Sequence, residues 1–235
     1  MVDKDLIARE LHAHFWNANT NMPLDDYDDY EIDDQGLVHV HVDIQSVAPS
    51  ISGRLPVQFS EVDGDFLIHK MNLTSLVGAP TKVVGAFDCS ENSLTSLMYA
   101  PIKCEDLNCS HNKLTNLAHA PIVANSIDCS HNLLTDLATC PGAHDVFAAY
   151  NPFETFKDTP LDIDRITITY APNLPLLGLL TVHHVEIFDP DNGEYMEPLS
   201  KILNAHVGKG VSNKASMLKC AGELIKAGYK ANARW

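Results

Sequence analysis

Five segments of this chain repeat one pattern. "FLIHKMNLTSLVGAP" begins at Phe66, "FDCSENSLTSLMYAP" at Phe87, "LNCSHNKLTNLAHAP" at Leu107, "IDCSHNLLTDLATCP" at Ile127, and the diverged "VFAAYNPFETFKDTP" at Val146. They close on Pro80, Pro101, Pro121, Pro141 and Pro160, so successive prolines stand 21, 20, 20 and 19 residues apart. A unit of about twenty residues holds one short strand, a turn and a return arm. Such a unit cannot bury its apolar face alone, so the units must stack, with unlike segments closing the ends.

Within a unit, Phe87 and Cys89 alternate with Asp88 and Ser90, the period of a strand with one buried face, and Leu94 and Leu97 then bury the returning arm. Asn92, Asn112, Asn132 and Asn151 stand where the chain leaves its strand; stacked amides there can satisfy backbone groups that the turn would otherwise bury unpaired. Ile166 with Ile168 and Val185 with Ile187 predict two further units, although Pro172, Pro175 and Gly178 disturb the register. The pattern predicts a leucine-rich-repeat solenoid over residues 61–195, with a parallel β-sheet on its inner face and short irregular return arms. An N-terminal cap is expected over 1–60 and a basic helical hairpin over 196–235.

The ends differ in charge as well as in pattern. Residues 1–65 carry fourteen acids against three bases, and 201–235 carry seven bases against one acid, within a net charge of −15. That balance argues against a general duplex-binding protein. Ile7, Leu11 and Phe15 recur every four residues and predict a helix over 3–16; "LVHVHVDI" alternates Val38, Val40, Val42 and Ile44 as a strand, with a hairpin turn at Gly36. The acidic run "LDDYDDYEIDD" reads as a solvated edge, or as carboxylates imitating nucleic acid. Glu197–His206 and Asn213–Ala227 predict two helices, the second capped by Ser212 or Asn213 and ended by Gly228. Nucleic-acid contact is expected only through this basic pair, which carries Lys209, Lys214, Lys219, Lys226, Lys230 and Arg234.

Asp3, Lys4 and Asp5 stand where a secretory leader would need a basic start and an unbroken apolar run, so the chain reads as cytoplasmic, with reduced cysteines and unused sequons at Asn72 and Asn108. The most apolar stretch, Leu174–Val182, is too short and too broken by Pro175 and Gly178 to span a bilayer.

The block "GDFLIHKMNLTSLVGAPTKVVGAFDCSENSLTSL", preceded by "SGRLPVQFSEV", resembles the short Cys-Ser-x-Asn leucine-rich repeats of proteins encoded by tailed bacteriophages, over residues 50–160. The closing "GKGVSNKASMLKCAGELIKAGYKANARW" is similar to the tails of such proteins. The resemblance implies a solenoid, a viral origin and the cytoplasm of an infected bacterium; it carries over no catalytic or ligand-binding residue. Two departures are Ala148-Ala149, in place of Cys-Ser, and Met71, in place of the ladder Asn.

No pattern points to chemistry. Cys89, Cys109 and Cys129 recur beside His111 and His131, but the thiols belong to the core face and the imidazoles to the exposed side, which argues against zinc. Ser90, Ser110 and Ser130 with these histidines lack an orienting third group and an oxyanion hole. His183-His184 and "DPDNGE" read as ordinary turn features. No cofactor, metal or catalytic residue is therefore assigned. Three outward columns are expected on the open sheet face: Leu67, Asp88, Asn108, Asp128 and Phe147; His69, Ser90, Ser110, Ser130 and Ala149; and Lys70, Glu91, His111, His131 and Tyr150. They make the expected function non-enzymatic binding of a protein partner, which the viral resemblance implies is host-encoded. The alternatives are a virion component, or an enzyme or nucleic-acid-binding activity in the C-terminal segment with the repeats as docking arm.

Overall fold

The computed structural model describes residues 2–24, 28–123, 125–208 and 214–235. The chain divides into two compact units: residues 1–114 with 118–124, and residues 115–117 with 125–235. Each is built of parallel β-solenoid turns, and there are three α-helices among the described residues.

The first unit opens with α1 (Lys4–His14), whose N-cap Asp3 accepts the Leu6 N–H at 3.0 Å. Leu11 is buried, as its position on the apolar stripe requires. Phe15 is also buried, but it belongs to a strand: the backbone turns extended there (φ −135°, ψ 143°) and β1 (Phe15–Asn17) follows. β2 (Met22–Pro23) and β5 (Ile44–Ser46) flank β1 antiparallel. From β5 onward the sheet is parallel through β7 (Phe66–Leu67), β9 (Phe87–Asp88) and β11 (Leu107–Asn108), with Ile44, Phe66, Phe87 and Leu107 in one register row. Phe66 and Phe87 stack at 6.0 Å, and Phe59 meets Phe66 edge-on at 5.0 Å.

The return side of this unit is more regular than expected. β3 (Tyr30–Ile32) pairs antiparallel with β4 (Leu37–Val40), and β4 continues in parallel to β6 (Gln58–Val62) and β8 (Lys82–Val83); β10 (Lys103–Cys104) pairs with β12 (Ile122–Val123). Winding therefore begins at residues 37–46, inside the segment assigned to the cap. The hairpin turn at Gly36, with φ +85°, stands as read.

The corners before β7 and β9 are held by carboxylates. Asp43 Oδ1 accepts the Asp65 N–H at 2.7 Å, and Asp65 Oδ1 accepts the Ala86 N–H at 2.8 Å. Gly64 and Gly85 leave room for these oxygens; a methyl at either would collide with them.

The second unit contains β13 (Ser126–Asp128), β14 (Ala143–Phe147), β15 (Ile163–Thr169) and β16 (His184–Phe188), all parallel, with Ile127, Val146, Ile166 and Val185 in register. Ile166, Ile168, Val185 and Ile187 are fully buried, as the weaker repeats predicted. Gly178 lies so close to the Phe156 backbone that no side chain fits, which accounts for the apolar segment interrupted by glycine. α2 (Glu197–Asn204) lies against β16 and completes its backbone bonds: Asn204 accepts from Val185 N–H and donates to its carbonyl, at 2.8 and 2.9 Å, and Ser200 accepts the Ile187 N–H. This closes a strand edge that would otherwise be open. α3 (Lys214–Lys226) buries Cys220 and Leu224, and Asn232 donates to the Ala171 and Leu174 carbonyls. The expected helix cap at Ser212 or Asn213 and the acidic residues Asp25 and Asp26 lie outside the described residues. No helix among the described residues is long and apolar enough to cross a membrane.

Candidate functional site

The strands β9, β11 and β13 end in the same corner, built from four residues. Asp88 accepts the Ser90 N–H at 2.9 Å, Asn108 the Ser110 N–H at 3.1 Å and Asp128 the Ser130 N–H at 3.0 Å. This side-chain turn curls the strand after only two or three residues. The next residue takes a left-handed backbone: Lys70, Glu91 and His111 at φ 57°, 52° and 53° in the first unit, His131 and Tyr150 at 53° and 57° in the second. The Asn that follows turns inward. Asn112 Nδ2 donates to the carbonyls of Cys89, Cys109 and Ser110, while its Oδ1 accepts the Leu94 N–H at 2.9 Å. Asn92 repeats this one coil earlier, and Asn151 repeats it in the second unit. These amides form the structural ladder anticipated from the repeats.

The corner changes where the expected contact residues point. Ser90 and Ser110 are buried, at 5% exposure each, and Ser130 is half-buried, so the serine column is not a contact surface. The Ser110 and Ser130 hydroxyls donate to Asn108 and Asp128 at 2.7 and 2.6 Å. Strand alternation fails at this position because the chain has already entered its turn. Asp88, Asn108 and Asp128 are half-buried and spend an oxygen on the turn. The third column lies past the strand ends, on the left-handed residues that form the rim within each unit.

Exposed side chains mark these turns. In the first unit Lys70 pairs with Glu91 at 3.0 Å and His111 is exposed in the next coil. In the second unit His131 stacks on Tyr150, with ring centroids 4.3 Å apart and planes at 13°, and Phe147 is 41% exposed on β14. Flat, partly exposed rings of this kind are the side chains that anchor protein interfaces.

Thiol chemistry is suppressed by the core. Cys89, Cys109 and Cys129 are fully buried while His111 and His131 are exposed, so thiol and imidazole do not converge. Burial raises the Cys89 and Cys129 thiols far above the usual range and pushes Cys140 up to about 12. A thiolate nucleophile is disfavoured at each.

The second unit also gathers a group that the repeat pattern did not single out. His144 Nδ1 lies 2.6 Å from Asp164 and His183 Nδ1 3.2 Å from the same carboxylate, beside a shallow depression of about 310 Å³ lined by His144, Asp145, Asp164, Arg165 and His184. The His144 hydrogen bond holds the Asp164 carboxyl below its usual value. The "DPDNGE" segment is a turn, closed by the Asp191 and Glu194 N–H groups on side chains within it. At the C-terminus Arg234 is engaged by the Asn173 and Ala231 carbonyls, and His206, buried at 4% exposure, meets Glu223 at 3.1 Å.

Comparison of the chain with protein-family models, with curated proteins and with solved structures found no match.

Proposed function

We propose that this chain is a non-enzymatic leucine-rich-repeat protein of phage type that binds a host-encoded protein, such as an enzyme or a defence component, through the rim of left-handed residues. One observation carries the reading. Bulky side chains occupy backbone positions that cost an L-residue roughly 1–2 kcal/mol, where glycine or asparagine would relieve the strain. Histidine tolerates this region better than most residues, but Lys70, Glu91 and Tyr150 have no such excuse. Backbone strain held under exposed charged and aromatic side chains fits a surface kept for contact. The buried, high-pKa thiols and the engaged Ser110 and Ser130 hydroxyls support the absence of nucleophilic catalysis at the repeats.

The test is affinity capture from host lysate with tagged full-length chain. Two variants are run beside it, Glu91→Ala with His111→Ala, and His131→Ala with Tyr150→Ala. The expected result is at least a tenfold weaker capture by one of the pairs, about 1.4 kcal/mol, with circular dichroism unchanged. Full capture by both pairs would overturn the proposal. Mass spectrometry of purified particles checks the competing structural role, which requires the chain in stoichiometric amount.

A further inference from the structure

The return-side sheet of the first unit carries a second group of chemistry-bearing side chains. Val38 and Val40 of β4 are fully buried, so the alternation of the strand sends His39 and His41 to the exposed face. Glu31 of β3 is the cross-strand partner of His39. Asp63 follows β6, donating its own N–H to the Val40 carbonyl at 2.9 Å, and so lies beside both imidazoles.

The contacts sort these groups into two roles. Asp63 Oδ2 lies 3.1 Å from His39 Nε2 and 3.3 Å from His41 Nδ1, so one carboxylate oxygen can take an N–H from each ring. That tautomer leaves His39 Nδ1 and His41 Nε2 as the basic nitrogens. His39 Nδ1 is 3.6 Å from Glu31 Oε1, and the ring centroids are 4.5 Å apart. Glu31, His39 and His41 can each offer one donor atom with all three within 4.8 Å of one another. Ligands bound to one zinc ion at about 2.0–2.1 Å stand about 3.3–3.5 Å apart, a small closure for exposed side chains. Metal-binding histidines characteristically give their other N–H to a carboxylate, the part Asp63 plays for both rings.

A second grouping, His39 with Glu61 and Asp63, is also compact. It already holds a cation: Lys82 Nζ lies 3.0 Å from Glu61 and 4.0 Å from Asp63. The Glu31 side lacks this lysine and supplies two imidazoles rather than one. Two imidazoles and a carboxylate suit a late first-row divalent ion such as Zn²⁺ better than Mg²⁺ or Ca²⁺.

We propose that Glu31, His39 and His41 bind a late first-row divalent cation, with Asp63 as the carboxylate that positions both imidazoles. The ion would tie β3 to β4 and leave coordination positions open to water or to a group from another molecule.

The experiment is calorimetric titration of metal-free, full-length chain with Zn²⁺, repeated for single and double variants, with circular dichroism of each metal-free variant as the folding control. Wild type should bind one ion saturably. The double variant His39→Gln/His41→Gln should lose that isotherm, and Glu31→Gln and Asp63→Asn should each weaken it by about tenfold or more. Glu61→Gln should change it by less than about threefold. Co²⁺ substituted for Zn²⁺ should show d–d bands without a thiolate charge-transfer band. No saturable binding by wild type, an unchanged isotherm in the double variant, greater loss in Glu61→Gln than in Glu31→Gln, or a thiolate band would each overturn the assignment.

Discussion

Replacing Asn112 by Ala removes a side chain that joins two coils of the first unit. The residue is 8% exposed, and its Oδ1 is the acceptor for the Leu94 N–H, which lies in a region closed to water. Its Nδ2 is shared among three carbonyls, of which Cys89 O also receives Asn92 and Ser110 O receives the Glu91 N–H. The largest loss is therefore one orphaned N–H, at about 1–3 kcal/mol, plus about 1 kcal/mol for the weakened Cys109 carbonyl contact. The expected destabilisation is about 2–4 kcal/mol by urea unfolding. Asn112→Asp keeps the acceptor but sets a charge beside three carbonyl oxygens, so it should cost at least as much. Lys113→Ala, at the adjacent exposed position, should stay within about 0.5 kcal/mol. A loss below about 0.5 kcal/mol for Asn112→Ala would refute the ladder as a source of stability.

The thiols give a pH prediction. Burial raises the folded pKa of Cys89, Cys129 and Cys140 above the unfolded value of 9.0, so their contribution is intact below pH 9 and is lost as pH rises toward the folded values. At pH 10 the loss is about 1.4 kcal/mol per thiol, about 4 kcal/mol together, a large part of a typical folding free energy; stability measured by urea that is level from pH 8 to 10 would contradict it. In native protein at pH 7, a thiol reagent should label Cys89, Cys109 and Cys129 only after denaturation. Gly85→Ala should cost about 1–3 kcal/mol in the same unfolding assay, because its methyl displaces the Asp65 oxygen from the Ala86 N–H. Glu91→Gly exchanges strain relief for glycine entropy and an exposed ion pair, so its stability should stay within about 1 kcal/mol of wild type while partner capture falls.

The repeat made the buried positions readable. Phe87, Cys89, Leu94 and Leu97 and their counterparts are buried because a fixed period returns each to the same core face. Side-chain direction past the strand was not readable from alternation, since the strand lasts two residues and the Asp or Asn two places before each Ser bends the chain. The signal was present as Asp88-Cys89-Ser90, Asn108-Cys109-Ser110 and Asp128-Cys129-Ser130, an Asx-turn pattern rather than a longer strand. Phe15 misled because a position four after Leu11 continues a helical stripe equally well whether or not the helix has ended. The first coils escaped because residues 37–62 lack the Cys-Ser-x-Asn element. Their parallel pairing still places His39 beside Glu61 and His41 beside Asp63, 22 residues apart in each case, and that matching spacing was the cue available.

The rim of left-handed residues is the proposed contact surface, and amide deuterium uptake of the full-length chain with and without its captured partner tests this most directly. Protection should fall on peptides carrying residues 88–91 and 108–111 in the first unit, or 128–131 and 147–150 in the second. Protection confined to the return side at 81–84 and 102–105, or to the terminal helices, would contradict it.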